Sequence, residues 1–294
     1  MKTTKVIMIM NMKGGTGKTT SVLSLGAALA NDGKKVLLVD TDPQESLTLS
    51  LGIIPAECDY TLMDALLNIY QNENIILDYG IKETAVENLY IIPGSENGEK
   101  LERALGLNPG ADSNMILQKY VEGLRGQYDY ILIDSGPSLR ILTVNGLVAA
   151  DSVIVPCEPE PAATEGLQKL ISSIFEVKRE LNHSLALDGI LITKYDSTKK
   201  VHKRIKKQIH QTYGKDVKVF DFHIPYSAEI INASEQKKDI YSMGNRGAAC
   251  MAYEMLAGEV DGKFPEIKLE GLSKRKESFI RRIFGKSKEE DLVI

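Results

Sequence analysis

Val6-Ile7-Met8-Ile9-Met10 runs through Asn11 into Met12-Lys13-Gly14-Gly15-Thr16-Gly17-Lys18-Thr19-Thr20, and this stretch decides the fold. The five-residue apolar run reads as a buried strand. The segment from about Gly17 to Asn31, stopped by Asp32-Gly33, reads as a helix. Glycines between a strand and a helix let successive backbone N–H groups turn inward around phosphate oxygens, at a helix end whose dipole favours anions. Gly14, Gly15 and Gly17 supply that turn, with Thr16 and Thr20 inside the same nucleotide-binding loop. Lys18 brings the charge for the β- and γ-phosphates, and Thr19 a hydroxyl for Mg²⁺. The strict GxxxxGK[ST] pattern fails at one place, because Met12 stands where its first glycine belongs.

Working outward, Val36-Leu37-Leu38-Val39 is a second apolar run, ending at Asp40. Tyr130-Ile131-Leu132-Ile133 ends at Asp134 and Val153-Ile154-Val155 at Pro156, while residues 189–193 and 217–220 read as the last two strands. Between them, Leu167, Leu170, Ile171, Ile174 and Phe175 recur at the spacing of one helix face. Continuous apolar strands alternating with amphipathic helices predict a doubly wound α/β fold, a mostly parallel sheet with helices on both faces. Residues 1–260 read as one P-loop domain and 261–294 as a C-terminal extension.

Ligands in open parallel sheets gather at the carboxyl ends of strands. Asp40-Thr41-Asp42-Pro43-Gln44 falls at such an end, and so does Asp134. Four apolar residues closing on Asp134, about 115 positions after the phosphate loop, form a Walker B pattern that would hold Mg²⁺ directly or through water.

The lysine immediately before Gly-Gly in KGGTGKTT resembles the deviant Walker A loop of the ParA/MinD family of ATPases, and Asp40 to Gln44 resembles that family's DxDPQ motif. The likeness spans roughly residues 4–260 and favours the ParA, Soj-like branch. It implies ATP and Mg²⁺ as ligands and an ATP-dependent homodimer in which Lys13 reaches the partner's phosphates. By the same resemblance Lys13, Lys18 and Asp42 would be catalytic, with Asp42 orienting the attacking water and Asp40 supporting the metal region. Thr19 and Asp134 would hold the metal, and adenine contacts would come from regions matching Thr193 and Pro225. The family implies non-specific DNA binding and slow hydrolysis stimulated by a ParB-like centromere-binding partner. One departure stands in Ser135-Gly136-Pro137-Ser138, where the family has a small residue followed by Pro-Pro.

Composition is that of a globular protein, with 43% hydrophobic and 26% charged residues, which excludes wholesale disorder. Cys58, Cys157 and Cys250 form no CxxC and the four histidines no HxxxH, so cluster carriers and zinc ribbons are disfavoured. With no secretory signal and no long apolar segment, a soluble cytoplasmic protein is expected. The net charge of −4 hides an asymmetry. Lys199, Lys200, Lys203, Arg204, Lys206 and Lys207 fall within nine positions free of acid, with Val201, Ile205 and Ile209 as a packing stripe. Such a helix suits phosphate backbones without reading bases. Residues 272–288 add seven basic residues and one acid, with Phe279, Ile280, Ile283 and Phe284 on one helical face. Basic and apolar faces together suit an anionic membrane surface and resemble the tail of the MinD branch. The alternative reading is therefore a MinD-like, ATP-switched regulator recruited to membranes.

Overall fold

Strand residues alternate between two packed layers, and that alternation sets the architecture. The computed structural model describes residues 3–107, 112–244 and 246–263. In it β1 (Lys5–Ile9) turns Val6 and Met8 to one face and Ile7 and Ile9 to the other, all four fully buried. A strand buried on both sides needs cover on both sides, the condition under which parallel sheets form.

The chain meets that condition with strands and helices in near-strict alternation. After β1 come α1 (Lys18–Asn31), β2 (Val36–Asp40), α2 (Ser46–Ser50) and α3 (Leu62–Tyr70). Then follow β3 (Lys82–Glu83), β4 (Leu89–Ile92), α4 (Gly98–Leu107), α5 (Ile116–Leu124), β5 (Tyr130–Asp134) and α6 (Ile141–Ala149). The second half holds β6 (Ser152–Cys157), α7 (Ala163–Glu180), β7 (Ala186–Tyr195), α8 (Lys200–Tyr213), β8 (Val219–Pro225), α9 (Ala228–Glu235) and α10 (Ala248–Val260).

Among the described residues the strands lie in the order β3-β4-β2-β5-β1-β6-β7-β8. All neighbours are parallel except β3 and β4. Residues of α1, α2, α9 and α10 pack on one face, and those of α3 to α8 on the other. The chain leaves β1 toward β2 and β4, returns through β5, and then crosses to β6, β7 and β8 on the far side. This reversal puts the switch point at β1, whose carboxyl end opens onto the ligand crevice. Ile9, Asp40 and Asp134 are register partners there, so three strands end at one level.

Two strand expectations need correction. The last strand runs Val219–Pro225, later than residues 217–220, because its inward residues are Phe220, Phe222 and Ile224. The edge pair β3 and β4 was not expected at all. Leu89-Tyr90-Ile91-Ile92 is a four-residue run with Leu89 and Ile91 on one face and Ile92 on the other, too short to stand out from the surrounding loops.

Helix α1 is sandwiched between the sheet and α10, where Ser21 Oγ lies 3.1 Å from Tyr253 OH. A Cβ at Gly26 would stand 2.8 Å from Leu38 and 3.1 Å from Leu89, so glycine lets the helix sit close on the sheet. Gly26→Val is expected to cost about 1–3 kcal/mol through overpacking and to lower the melting temperature by roughly 2–4 °C per kcal/mol. An unchanged calorimetric melt would show that α1 has slack there. The end of α10 is tied down as well: Lys34 Nζ and Tyr130 OH donate to Asp261 at 2.7 and 2.6 Å. Burial pushes this carboxyl up, but the bonds from Lys34, Tyr130 and Lys263 prevail and hold it at about 2. Among the described residues no helix is long and apolar enough to cross a membrane.

Candidate functional site

The crevice is built on the turn from β1 into α1. Gly15 and Gly17 have φ of 75° and 85°, a left-handed backbone that glycine adopts without penalty. An added Cβ at Gly14 meets nothing within 4 Å, so that side of the loop is open. No side chain caps α1 and no acid lies in its first turn. The first-turn N–H groups and the dipole are thus directed to an outside anion.

The loop is braced from three directions. Asn11 Nδ2 donates to Pro156 O at 2.7 Å while its Oδ1 accepts the Lys13 N–H at 2.9 Å. Thr193 Oγ1 donates to Thr16 O at 2.8 Å, which pins β7 to the loop. Thr193 is buried beneath the loop, a placement that occupies its hydroxyl with backbone. Lys18 is itself buried, and its Nζ reaches the Lys13 carbonyl at 3.4 Å. Burial lowers the pKa of this ammonium, with Asp134 and Asp42 opposing the shift. Thr20 follows in the first turn, half-buried.

The three aspartates differ sharply in what they face. Asp134 is fully buried, accepts from Thr19 Oγ1 at 2.7 Å and from the Ser135 N–H at 3.1 Å. Burial and the neighbouring Asp40 push its carboxyl well above the usual range, against Thr19 and Lys18. Asp42, just past the carboxyl end of β2, is buried as well, its Oδ1 accepting the Gln44 N–H at 3.0 Å. Gly136 is the residue that makes room for it, since a Cβ there would stand 3.2 Å from Asp42 Oδ1.

Asp40 lies beside Asp134 in register and is committed to local hydrogen bonds. Its Oδ2 accepts the Thr48 N–H at 2.9 Å and the Thr48 hydroxyl at 2.6 Å, while Oδ1 accepts the Asp42 N–H at 3.2 Å. Thr48 Oγ1 in turn accepts the Gly94 N–H at 2.9 Å. Burial raises this carboxyl to about 6 despite those bonds. Asp40 is a brace for the Asp42 turn, a role for which Thr48 and Gly94 carried no sequence signal.

The donor set fits a magnesium nucleotide. A hard cation prefers oxygen ligands, and the Thr19 hydroxyl and Asp134 carboxylate are paired at the carboxyl end of β5. Asp134 and Asp40 are neighbouring buried acids with the Lys18 ammonium close to Asp134, and a divalent cation would add to that compensation.

Lys13 lies outside this cradle, bonded to Glu160 with both side chains nearly half exposed. The basic helix α8 is placed as expected on its packing side, with Ile205 and Ile209 in the core. Lys199, Lys200, Lys203, Arg204 and Lys207 are exposed. Lys206 is a correction: it is half-buried, 5.3 Å above the Tyr195 ring and 3.2 Å from His223 Nδ1. Burial lowers its pKa, and burial together with Lys206 takes His223 down to about 3, so a neutral imidazole faces the ammonium. Pro225 ends β8 half-buried near Tyr195, whose carbonyl accepts the Tyr226 N–H. Phe279, Ile280, Ile283 and Phe284 lie outside the described residues.

A family model described as an AAA domain matches residues 4–187. Over 258 residues the chain is 37% identical to the sporulation initiation inhibitor protein Soj of Bacillus subtilis, covering 87% of this chain and 98% of that one. It is 38% identical over 258 residues to the chromosome-partitioning ATPase Soj of Treponema pallidum, covering 87% and 96%. Among solved structures, cobyrinic acid a,c-diamide synthase from Mycobacterium smegmatis, with bound ATP analog and magnesium, superposes with a TM-score of 0.76 at 31% identity. That likeness covers 87% of this chain and 94% of the other.

Proposed function

We propose a function from one premise: the chain belongs to the ParA/MinD family of deviant Walker A ATPases, on its Soj-like branch. It is an ATPase that takes ATP with Mg²⁺. Beyond that, we infer that it forms an ATP-dependent homodimer, binds DNA without sequence preference, and is returned to the free state when a ParB-like partner stimulates hydrolysis. The cycle would partition or position DNA, as the name of its Treponema pallidum relative indicates for that protein.

The observation that carries the chemistry is the Thr19–Asp134 pair beneath the loop, with Lys18 buried beside it. Thr19 and Asp134 would hold Mg²⁺, which when bound neutralises charge on the transferring phosphoryl group. Loop N–H groups and Lys18 bind the phosphates, and Lys18 regains in them the counter-charge that burial denies it. Asp42, just past the carboxyl end of β2, would orient a water, a positioning task for which one carboxylate suffices. Lys13, half exposed at the surface, would contact a second copy.

Support for DNA comes from five exposed cations along α8 and its start. Charge reversal of Lys199, Lys200, Lys203 and Lys207 to Glu is expected to abolish ATP-dependent retention of duplex DNA and leave nucleotide affinity unchanged. A single neutralisation, Lys203→Gln, should flatten the salt dependence by about one phosphate contact. Full retention by the quadruple variant would remove α8 as the DNA surface. Lys206→Gln should lower retention less than Lys203→Gln, because its charge is committed to Tyr195 and His223.

A further inference from the structure

Two carboxylates follow β6 in Glu158-Pro159-Glu160-Pro161, and each meets a lysine beside the phosphate loop. Glu160 is bonded to Lys13, whose charge holds the Glu160 carboxyl below its ordinary range. Glu158 Oε2 lies 3.8 Å from Lys194 Nζ. Lys194 belongs to no phosphate-loop pattern and comes from the carboxyl end of β7. Its φ of 49° is left-handed, a conformation that side-chain-bearing residues keep only where the surroundings impose it. The ammonium lies 4.0 Å from where a Cβ on Gly15 would stand, over the anion-binding turn. The preceding Thr193 bonds Thr16 and so fixes that strand end against the loop.

We propose that Lys194 is a further polyphosphate-binding residue of this ATPase, and that Glu158 and Glu160 are internal counter-anions which Lys194 and Lys13 give up when nucleotide binds. The proposal deepens the ATPase reading above and rests on it. Ion pairs this exposed are weak, whereas charge-assisted bonds to phosphate are stronger, so the exchange runs toward nucleotide. The lysines have long flexible stems and can move. Pro159 and Pro161 have fixed φ, so the glutamates stay with the β6–α7 connection. The same two pairs hold both lysines on their own subunit.

Fluorescence titration with a labelled ATP, and competition by inorganic tripolyphosphate, test this on the full chain with Mg²⁺ present. The Glu158→Gln/Glu160→Gln double variant is expected to bind both ligands about three- to tenfold tighter, with the gain shrinking in high salt. Lys194→Gln and Lys194→Gly should each bind both about fivefold weaker; the glycine variant relieves the backbone, so agreement between the two isolates the charge. Wild-type affinity in the double variant, or in both Lys194 variants, would overturn the proposal. Lys18→Ala serves as the reference: if it binds ATP as tightly as the unaltered chain, the nucleotide reading of the whole loop fails instead.

Discussion

Asp42→Ala is expected to leave ATP bound and to slow turnover by about 10²- to 10⁴-fold, the usual contribution of one positioned acid–base group. The reason is the division of labour among the three aspartates. Asp134 is enclosed with Thr19, and Asp40 spends both oxygens on Thr48 and the Asp42 backbone. Asp42 is left as the carboxylate just past the carboxyl end of β2, with Gly136 leaving its Oδ1 uncrowded. Asp42→Asn is the needed companion, because its amide oxygen still accepts the Gln44 N–H and preserves the turn. Both variants should show nearly wild-type nucleotide affinity and stalled phosphate release in single-turnover assays. Turnover at the wild-type rate in Asp42→Asn would move the water-positioning role to another group.

Asp134→Asn is expected to act in opposite directions on stability and on function. Asp134 and Asp40 are register partners on β5 and β2, both without solvent contact. Each carboxyl is raised by burial; the neighbouring Asp40 raises that of Asp134 further, as Asp42 does that of Asp40. A folded-state pKa above the unfolded value means that the native state binds the extra proton. Stability from that proton is present at low pH and is lost as pH rises through the folded pKa. Asparagine removes the charge and keeps the bonds: its oxygen accepts the Ser135 N–H, and its amide donates to the Thr19 hydroxyl. The variant should therefore gain on the order of 1–3 kcal/mol at neutral pH, a rise of roughly 2–4 °C per kcal/mol in the melt. The gain should shrink as pH is lowered toward the ordinary carboxylate range. The same variant should lose Mg²⁺-dependent ATP binding. A melt at neutral pH unchanged or lower than wild type would mean that the buried charge is already compensated by Lys18.

Much of this site was legible before any tertiary contact was known. The loop glycines are dictated locally, because Gly15 and Gly17 take left-handed backbone wherever the chain packs. Asp40, Asp42 and Asp134 were legible because each follows an apolar run whose end must face the crevice. The edge strand β4 was less so, since four residues with mixed facing look like a buried loop. The partners of Asp40 and Lys206 were not legible for a shared reason: a charged side chain next to a motif is assigned by its neighbours in sequence, whereas its partners come from elsewhere in the fold. Asp40 is claimed by Thr48, and Lys206 by Tyr195 and His223.

The sequence by itself determined the layered sheet, the phosphate loop and the places where charge gathers. Those follow from continuous apolar runs alternating with amphipathic helices, glycine stereochemistry and composition, each a property of a short window. Tertiary structure alone decided which charges meet. Lys13 and Glu160 are 147 positions apart, and Thr193 and Thr16 are 177. Hydrogen bonds and ion pairs act over a few ångströms, so their partners exist only once β1, β6 and β7 lie side by side. That juxtaposition turns a loop that can hold phosphate into one whose outer lysines are already occupied.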